Sequence, residues 1–302
     1  MTRRGWLLFA AMCVIWGVPY LLIRVAVREL TPVTLVFART GIAALLLLPI
    51  AALRDELRPL LKLWLPMLAF TAAEIAVPWL LLARAETKLS SSLSGLLIAA
   101  VPLVGAVVTT FTGDHEHHGG RRWAGLLVGI AGVAALVGLD VQGAGVVPLV
   151  EVAVVVVGYA LGPIVLARWL SDAPPLGVVA ASLGLSTLAY APFAAFSLPR
   201  SLPSWKVSGS VVGLAVVCTA LAFLLFFQLI AEIGPVRATV ITYINPAVAA
   251  VLGVTVLSEA FTRGMGIGFA LVLAGSILAT SPSRPRGERA VQTPEAAPDT
   301  PV

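Results

Sequence analysis

The sequence predicts an all-α integral membrane protein, with ten transmembrane helices arranged as two inverted five-helix repeats. Three observations predict it. The 302 residues are 59% hydrophobic and only 12% charged, with a mean hydropathy of +0.99, whereas soluble domains carry about a quarter charged residues. Ten apolar runs occupy residues 6–27, 32–52, 62–84, 90–112, 122–139, 147–169, 175–197, 208–231, 236–257 and 263–281. Each is near the ~20 residues that cross ~30 Å of hydrocarbon as a helix. Pro19, Pro32, Pro49 and Pro102 recur as Pro163, Pro175, Pro192 and Pro246, offset by 143 or 144, and Gly41 recurs as Gly184.

Turn and charge signals separate the runs: RDELRP at 54–59, GDHEHHGG at 113–120, QGAG at 142–145, SDAPP at 171–175 and SLPRSLPS at 197–204. Residues 1–5, MTRRG, form a charged cytoplasmic start. The run after them continues to Val27 without a small-residue cleavage site, so it reads as a retained first helix. The first repeat spans 6–140 and the second 146–281. Residues 282–302 are Pro-rich without apolar period and read as a disordered cytoplasmic tail. Because five is odd, the second half must enter the membrane inverted. With both termini in the cytoplasm, twelve Lys or Arg fall on inside segments and seven on outside ones. That is the direction of the positive-inside rule at a plasma membrane.

The charge of +5 and sequence pI near 9.7 do not indicate a nucleic-acid partner. The basic residues fall between apolar runs, not on one face with interleaved aromatics. Cys13 and Cys218 lack disulfide or zinc spacing. DHEHH at 114–118 does not match HExxH, and it reads as a solvated loop without a metal. There is no GxSxG, P-loop or Cys–His cluster. The sequence therefore points to no enzyme and no cofactor, and to energy drawn from an ion or substrate gradient instead of ATP. Inverted repeats are a transporter architecture, in which two halves rock about a midplane site.

The residues also carry a family likeness. WGVPYLLIRVA at 16–26, Pro32 with Arg39, IAAVPLVGAVVTTFTGD at 98–114 and INPAVAAVLGVTVLSEA at 244–260 occur in order. As a set they resemble the drug/metabolite transporter superfamily, EamA-type, over residues 6–281. The resemblance implies transport of small metabolites such as amino acids or drug-like compounds, often outward. Where such relatives have LGE, this chain has TGD at 112–114 and LSE at 257–259. Arg24 stands where lysine is frequent, and Ser182 matches Arg39 in the second half. An integral-membrane enzyme acting on a lipid-linked substrate and a non-transporting scaffold or sensor are the alternatives. The first would need a further carboxylate, histidine or metal cluster at the depth of Arg39; the second, a large soluble domain.

Arg39 is a permanent cation in an otherwise apolar run. Counting 1.5 Å per residue, it lies roughly 10 Å below the outer end of the second helix, and Glu74 about 15 Å below the same face in the third. Each ion alone in hydrocarbon costs at least ~2.5–3.5 kcal/mol. Two readings are open: an Arg39–Glu74 pair that locks two helices, or a wet central cavity. In the second, Arg39 attracts a carboxylate or phosphate and Glu74 takes up protons. Arg24, nearer the end, reads as a snorkelling side chain. Trp16, Tyr20, Trp79, Tyr159, Gln228, Tyr243 and Asn245 complete the candidate substrate-binding set, since aromatic walls with few polar groups suit a small-molecule cavity. Pro246 frees a carbonyl one turn earlier beside Asn245. GLLVG at 125–129 and GMGIG at 264–268 permit close helix approach, either between the halves or in a homodimer.

Overall fold

The computed structural model describes residues 1–111, 120–140 and 145–280. The DHEHH stretch, all but the last residue of QGAG, and the tail lie outside them. Among the described residues every regular element is helical. Ten helical segments follow one another among the described residues: α1 Arg3–Ala26, α2 Pro32–Leu53, α3 Arg58–Ala85, α4 Ser91–Thr109, α5 Gly120–Gly138, α6 Val146–Trp169, α7 Pro175–Ala195, α8 Trp205–Ile233, α9 Ile241–Leu257 and α10 Arg263–Thr280. Nine are long and apolar enough to cross a membrane; α9 is apolar but shorter. The expected run at 236–257 is broken near its start. Gly234 takes a left-handed φ of 82°, a single turn Pro235–Ala238 follows, and the helix restarts at Ile241.

Polar residues at run boundaries start the helices. The hydroxyls of Thr2, Thr31, Ser90 and Ser204 accept the N–H groups of Gly5, Thr34, Leu93 and Val207, satisfying first-turn donors that hydrocarbon would strand. Pro32 and Pro175 open α2 and α7 where a missing N–H costs nothing. Two helices contain widened i→i+5 turns, Thr71–Ala76 in α3 and Gly213–Leu221 in α8. Adding the sequence offset of 144 to 71–76 gives 215–220, inside the second of these.

Helices pack chiefly in pairs across the two halves: α1 on α8, α2 on α7, α3 on α6, α4 on α9 and α5 on α10. Contacts between helix ends place the connections at two opposite faces. At one face, Glu29 Oε2 accepts the N–H of Ser204 at 2.7 Å and Thr34 Oγ1 donates to the Ser197 carbonyl at 2.9 Å. At the other, Arg4 donates to Gln228 at 3.0 Å and Glu56 Oε2 accepts the N–H of Gly177 at 2.9 Å. Leu45, Leu127 and Leu188 point outward from the bundle, as side chains facing lipid do.

The α5–α10 contact is made by backbone. A Cβ on Gly132 would lie 2.6 Å from Val272 N and 2.8 Å from Gly268 O, and one on Gly125 would lie 2.5 Å from Ala279 N. Of the stripes that the sequence offered to either use, Gly125, Gly129 and Gly268 are occupied inside the chain, joined by Gly132 and Gly275, which lie beyond those two motifs. With no hydrophobic effect between helices in lipid, such close packing is a main source of cohesion. We predict that Gly132→Val and Gly275→Val lower the thermal unfolding temperature in detergent, by an overpacking cost of about 1–3 kcal/mol or more. Gly138→Val, where a Cβ meets nothing within 4 Å, should leave it unchanged.

Candidate functional site

Thr31 and Pro32 fix where α2 begins, and two turns later the helix carries Arg39 toward the bundle interior. The side chain is only 7% exposed. Its guanidinium lies over the Trp79 ring of α3, 3.5 Å from the centroid, and its Nε donates to Thr219 Oγ1 of α8 at 3.0 Å. Thr219 in turn donates to the Leu214 carbonyl five residues back, at 2.8 Å, within the widened turn. Tyr20, Tyr159, Glu86 and Cys218 are within electrostatic reach of the cation. The described ion pairs are Arg54–Glu56, Arg58–Asp55 and Arg84–Glu151, so no described carboxylate pairs with Arg39. An aromatic face and one hydroxyl hold the charge, a cation–π contact contributing about 2 kcal/mol where water is excluded.

Glu74 therefore does not lock α2 to α3 through Arg39. It projects from the widened turn of α3 onto α6, where the missing side chain of Gly162 makes room for its carboxyl group. Its Oε2 is buried without a hydrogen-bond partner among the described residues. Tyr159 of α6 interacts electrostatically with both Arg39 and Glu74. Arg39 and the Glu74 carboxyl group are thus both within electrostatic reach of one tyrosine and form no described ion pair with each other.

The remaining candidates divide by depth. Trp79 and Tyr20 are buried beside Arg39, and Tyr20 packs against Gly95 of α4. Trp16 sits where α1 bends, edge-on to Phe223 at 5.8 Å and tilted on Phe226 at 4.7 Å. Asn245 is 8% exposed, and its amide nitrogen, oriented by hydrogen-bond logic, donates to the carbonyls of Cys13 and Ile241 at 3.0 Å. At that bend the Gly17 N–H turns to the Val14 carbonyl at 2.9 Å, leaving the Cys13 carbonyl to Asn245. Gln228 is exposed and takes Arg4 at the opposite end, while Tyr243 meets Thr280 there at 3.2 Å. These two are not brought to the Arg39 cluster.

Three residues at the Arg39 end take roles that the sequence reading did not give them. Arg24 does not snorkel freely; its Nη1 donates to the Glu86 main-chain carbonyl. Glu86 is itself fully buried. Glu259, from the LSE stretch, grips the start of α4: it accepts the Ser91 and Ser92 N–H groups at 2.8 and 2.9 Å and both serine hydroxyls. An anion at a helix N-terminus satisfies stranded donors and the helix dipole together. Gly253 packs directly against this carboxylate and both hydroxyls.

Two clefts lie near but apart from Arg39 and Glu74. One of about 590 Å³ opens between the ends of α2, α3 and α6, beside the Arg84–Glu151 ion pair at 2.8 Å. The other, about 300 Å³, is an apolar groove between α3 and α6.

Burial acts to raise the Glu259 carboxyl pKa, but its serine hydrogen bonds outweigh that and hold it below the usual carboxylate range. A lowered acid contributes stability that is present above its unfolded pKa and lost as pH falls through the folded one. Glu259→Gln should therefore unfold at a lower temperature than the parent at neutral pH, and the gap should close in acid. Trp79→Leu should cost about 1–2 kcal/mol of stability at all pH values, since guanidinium does not titrate. Both are read by thermal unfolding of purified protein.

Comparison with known proteins places this geometry. The EamA-like transporter family matches the chain twice, over residues 3–138 and 149–281. The Escherichia coli K12 protein named "Uncharacterized inner membrane transporter YedA" is 25% identical over 284 residues, covering 89% of this chain and 88% of the relative. Its counterparts in strains O6:H1 and O157:H7 match equally. One crystal structure superposes with a TM-score of 0.66 at 19% identity, over 93% of this chain and 98% of that one; likeness at that identity speaks for the fold alone. The chain belongs to the EamA-like transporter family.

Proposed function

We propose that the chain is a secondary transporter working by alternating access, built from two inverted five-helix repeats, that exports small anionic metabolites across the plasma membrane. The observation that carries this reading is Arg39. It is a permanent cation inside the bundle with a fixed aromatic shelf and one hydroxyl partner but no described carboxylate. Its terminal nitrogens make no hydrogen bond among the described residues, and a carboxylate or phosphate fits that fork bidentately. Glu74, with an unpartnered oxygen at greater depth, supplies an exchangeable carboxyl group.

The helix pairing supports the repeat. Exchanging the halves (α1 with α6, α2 with α7, α3 with α8, α4 with α9, α5 with α10) turns the α1–α8 contact into α6–α3 and returns the other three pairs to themselves. That is how a two-fold axis relating the halves would act. The widened turns of α3 and α8 are equivalent under the same exchange, and such turns often sit at functional sites. Positive-inside bias supports cytoplasmic termini, and the inner-membrane relatives support the plasma membrane.

Flux of a metabolite panel through purified protein in liposomes, with and without a proton gradient, tests this. Carboxylates or phosphates should move, and Arg39→Ala and Glu74→Gln should each reduce flux at least tenfold, about 1.4 kcal/mol of barrier, while inserting normally. Normal flux in either variant would remove that residue from the mechanism.

A further inference from the structure

Glu86 is a buried acid at the end of α3 that the reading above leaves unused. It is 0% exposed, and both carboxyl oxygens are buried without a hydrogen-bond partner among the described residues. Yet charge surrounds it. Arg24 of α1 donates to its main-chain carbonyl, and Glu259 of the α9–α10 turn and Arg39 of α2 are within electrostatic reach. Tyr20 of α1 and Tyr159 of α6 also interact with it. On its own segment, Arg84 is committed to Glu151 and Lys88 lines the neighbouring cleft.

An ionised carboxylate stripped of water and given no donor is strongly disfavoured, by several kcal/mol, whereas a neutral carboxylic acid is tolerated at far lower cost. Arg24 could neutralise it, but spends a guanidinium N–H on the carbonyl of the same residue. Glu259 is saturated by the α4 serines and offers only its negative charge. The form that this burial favours is the neutral acid, which a proton supplies.

We propose that Glu86 is a proton-binding site: while neutral it keeps the end of the bundle formed by residues 86–90 and 258–262 shut, and ionising toward Arg24 opens it. The proposal rests on the transporter reading, in which that end must open. Burial, reinforced by Glu259 and opposed by Arg24 and Arg39, holds the Glu86 carboxyl well above the ordinary carboxylate pKa. A raised acid favours the closed arrangement below its pKa and disfavours it as pH rises. Opening therefore follows alkalinisation.

Two measurements on the full chain in lipid nanodiscs test this. The infrared spectrum at neutral pH should contain a neutral-carboxyl C=O band that is missing in Glu86→Gln, present but shifted in Glu86→Asp, and lost from the parent as pH rises. In a Cys13→Ala, Cys218→Ala background, Leu89→Cys (Leu89 is 2% exposed) should react with an impermeant maleimide increasingly at higher pH. With Glu86→Gln added, only the thiol's own pH dependence should remain. An unchanged carboxyl band in Glu86→Gln, or equal labelling slopes in the two backgrounds, overturns the proposal. Should the metabolite panel show no flux while both results hold, the transporter reading fails and the proton site stands.

Discussion

The structure depends on how a guanidinium is kept inside an apolar bundle. Arginine does not discharge by losing its proton, so the protein must provide electrons or dipoles. Here it provides an indole face from α3 and a hydroxyl from α8, two helices drawn to the same point by α2. A carboxylate would neutralise the charge more strongly, and would also close the site to anions. The aromatic shelf leaves the positive field unspent.

Local features on the three helices converge on that arrangement. The widened turn in α8 turns Thr219 toward Arg39 while its hydroxyl returns to Leu214. The matching turn in α3 directs Glu74 to the gap at Gly162, away from the cation. The carboxyl group and the cation are thereby kept apart. Above the site, carboxylates from one half grip helix starts in the other: Glu29 on α8, Glu259 on α4, and, at the opposite face, Glu56 on α7. Such clasps can break and re-form with little change in buried apolar area, unlike the glycine-to-backbone contact of α5 with α10.

The helices were legible in the sequence because hydrocarbon enforces them: length, apolarity and boundary Pro, Ser and Thr mark nine of the described helices to within a few residues. The α9 start was not, since Gly234 interrupts a run that hydropathy reads as continuous. Within the site, Arg39 and Trp79 were legible as polar and aromatic exceptions in oil. Their partners were not. Thr219 looks like any mid-helix threonine, and only the widened turn, a backbone property, gives it a role. Glu86 falls at a run boundary, where a charge reads as solvated, and its burial comes from helices far away in sequence. Gln228 and Tyr243 stand apart from Arg39, since polar groups in a long run can belong to its end.

The most direct test of the unspent cation is binding itself. With every tryptophan except Trp79 replaced by phenylalanine, its emission reports on the guanidinium resting upon it. Titrating small carboxylates and phosphates should give a saturable change that cationic amines of the same size do not produce and that Arg39→Ala abolishes. No saturable response to any anion, or an equal response to the amines, would contradict the account.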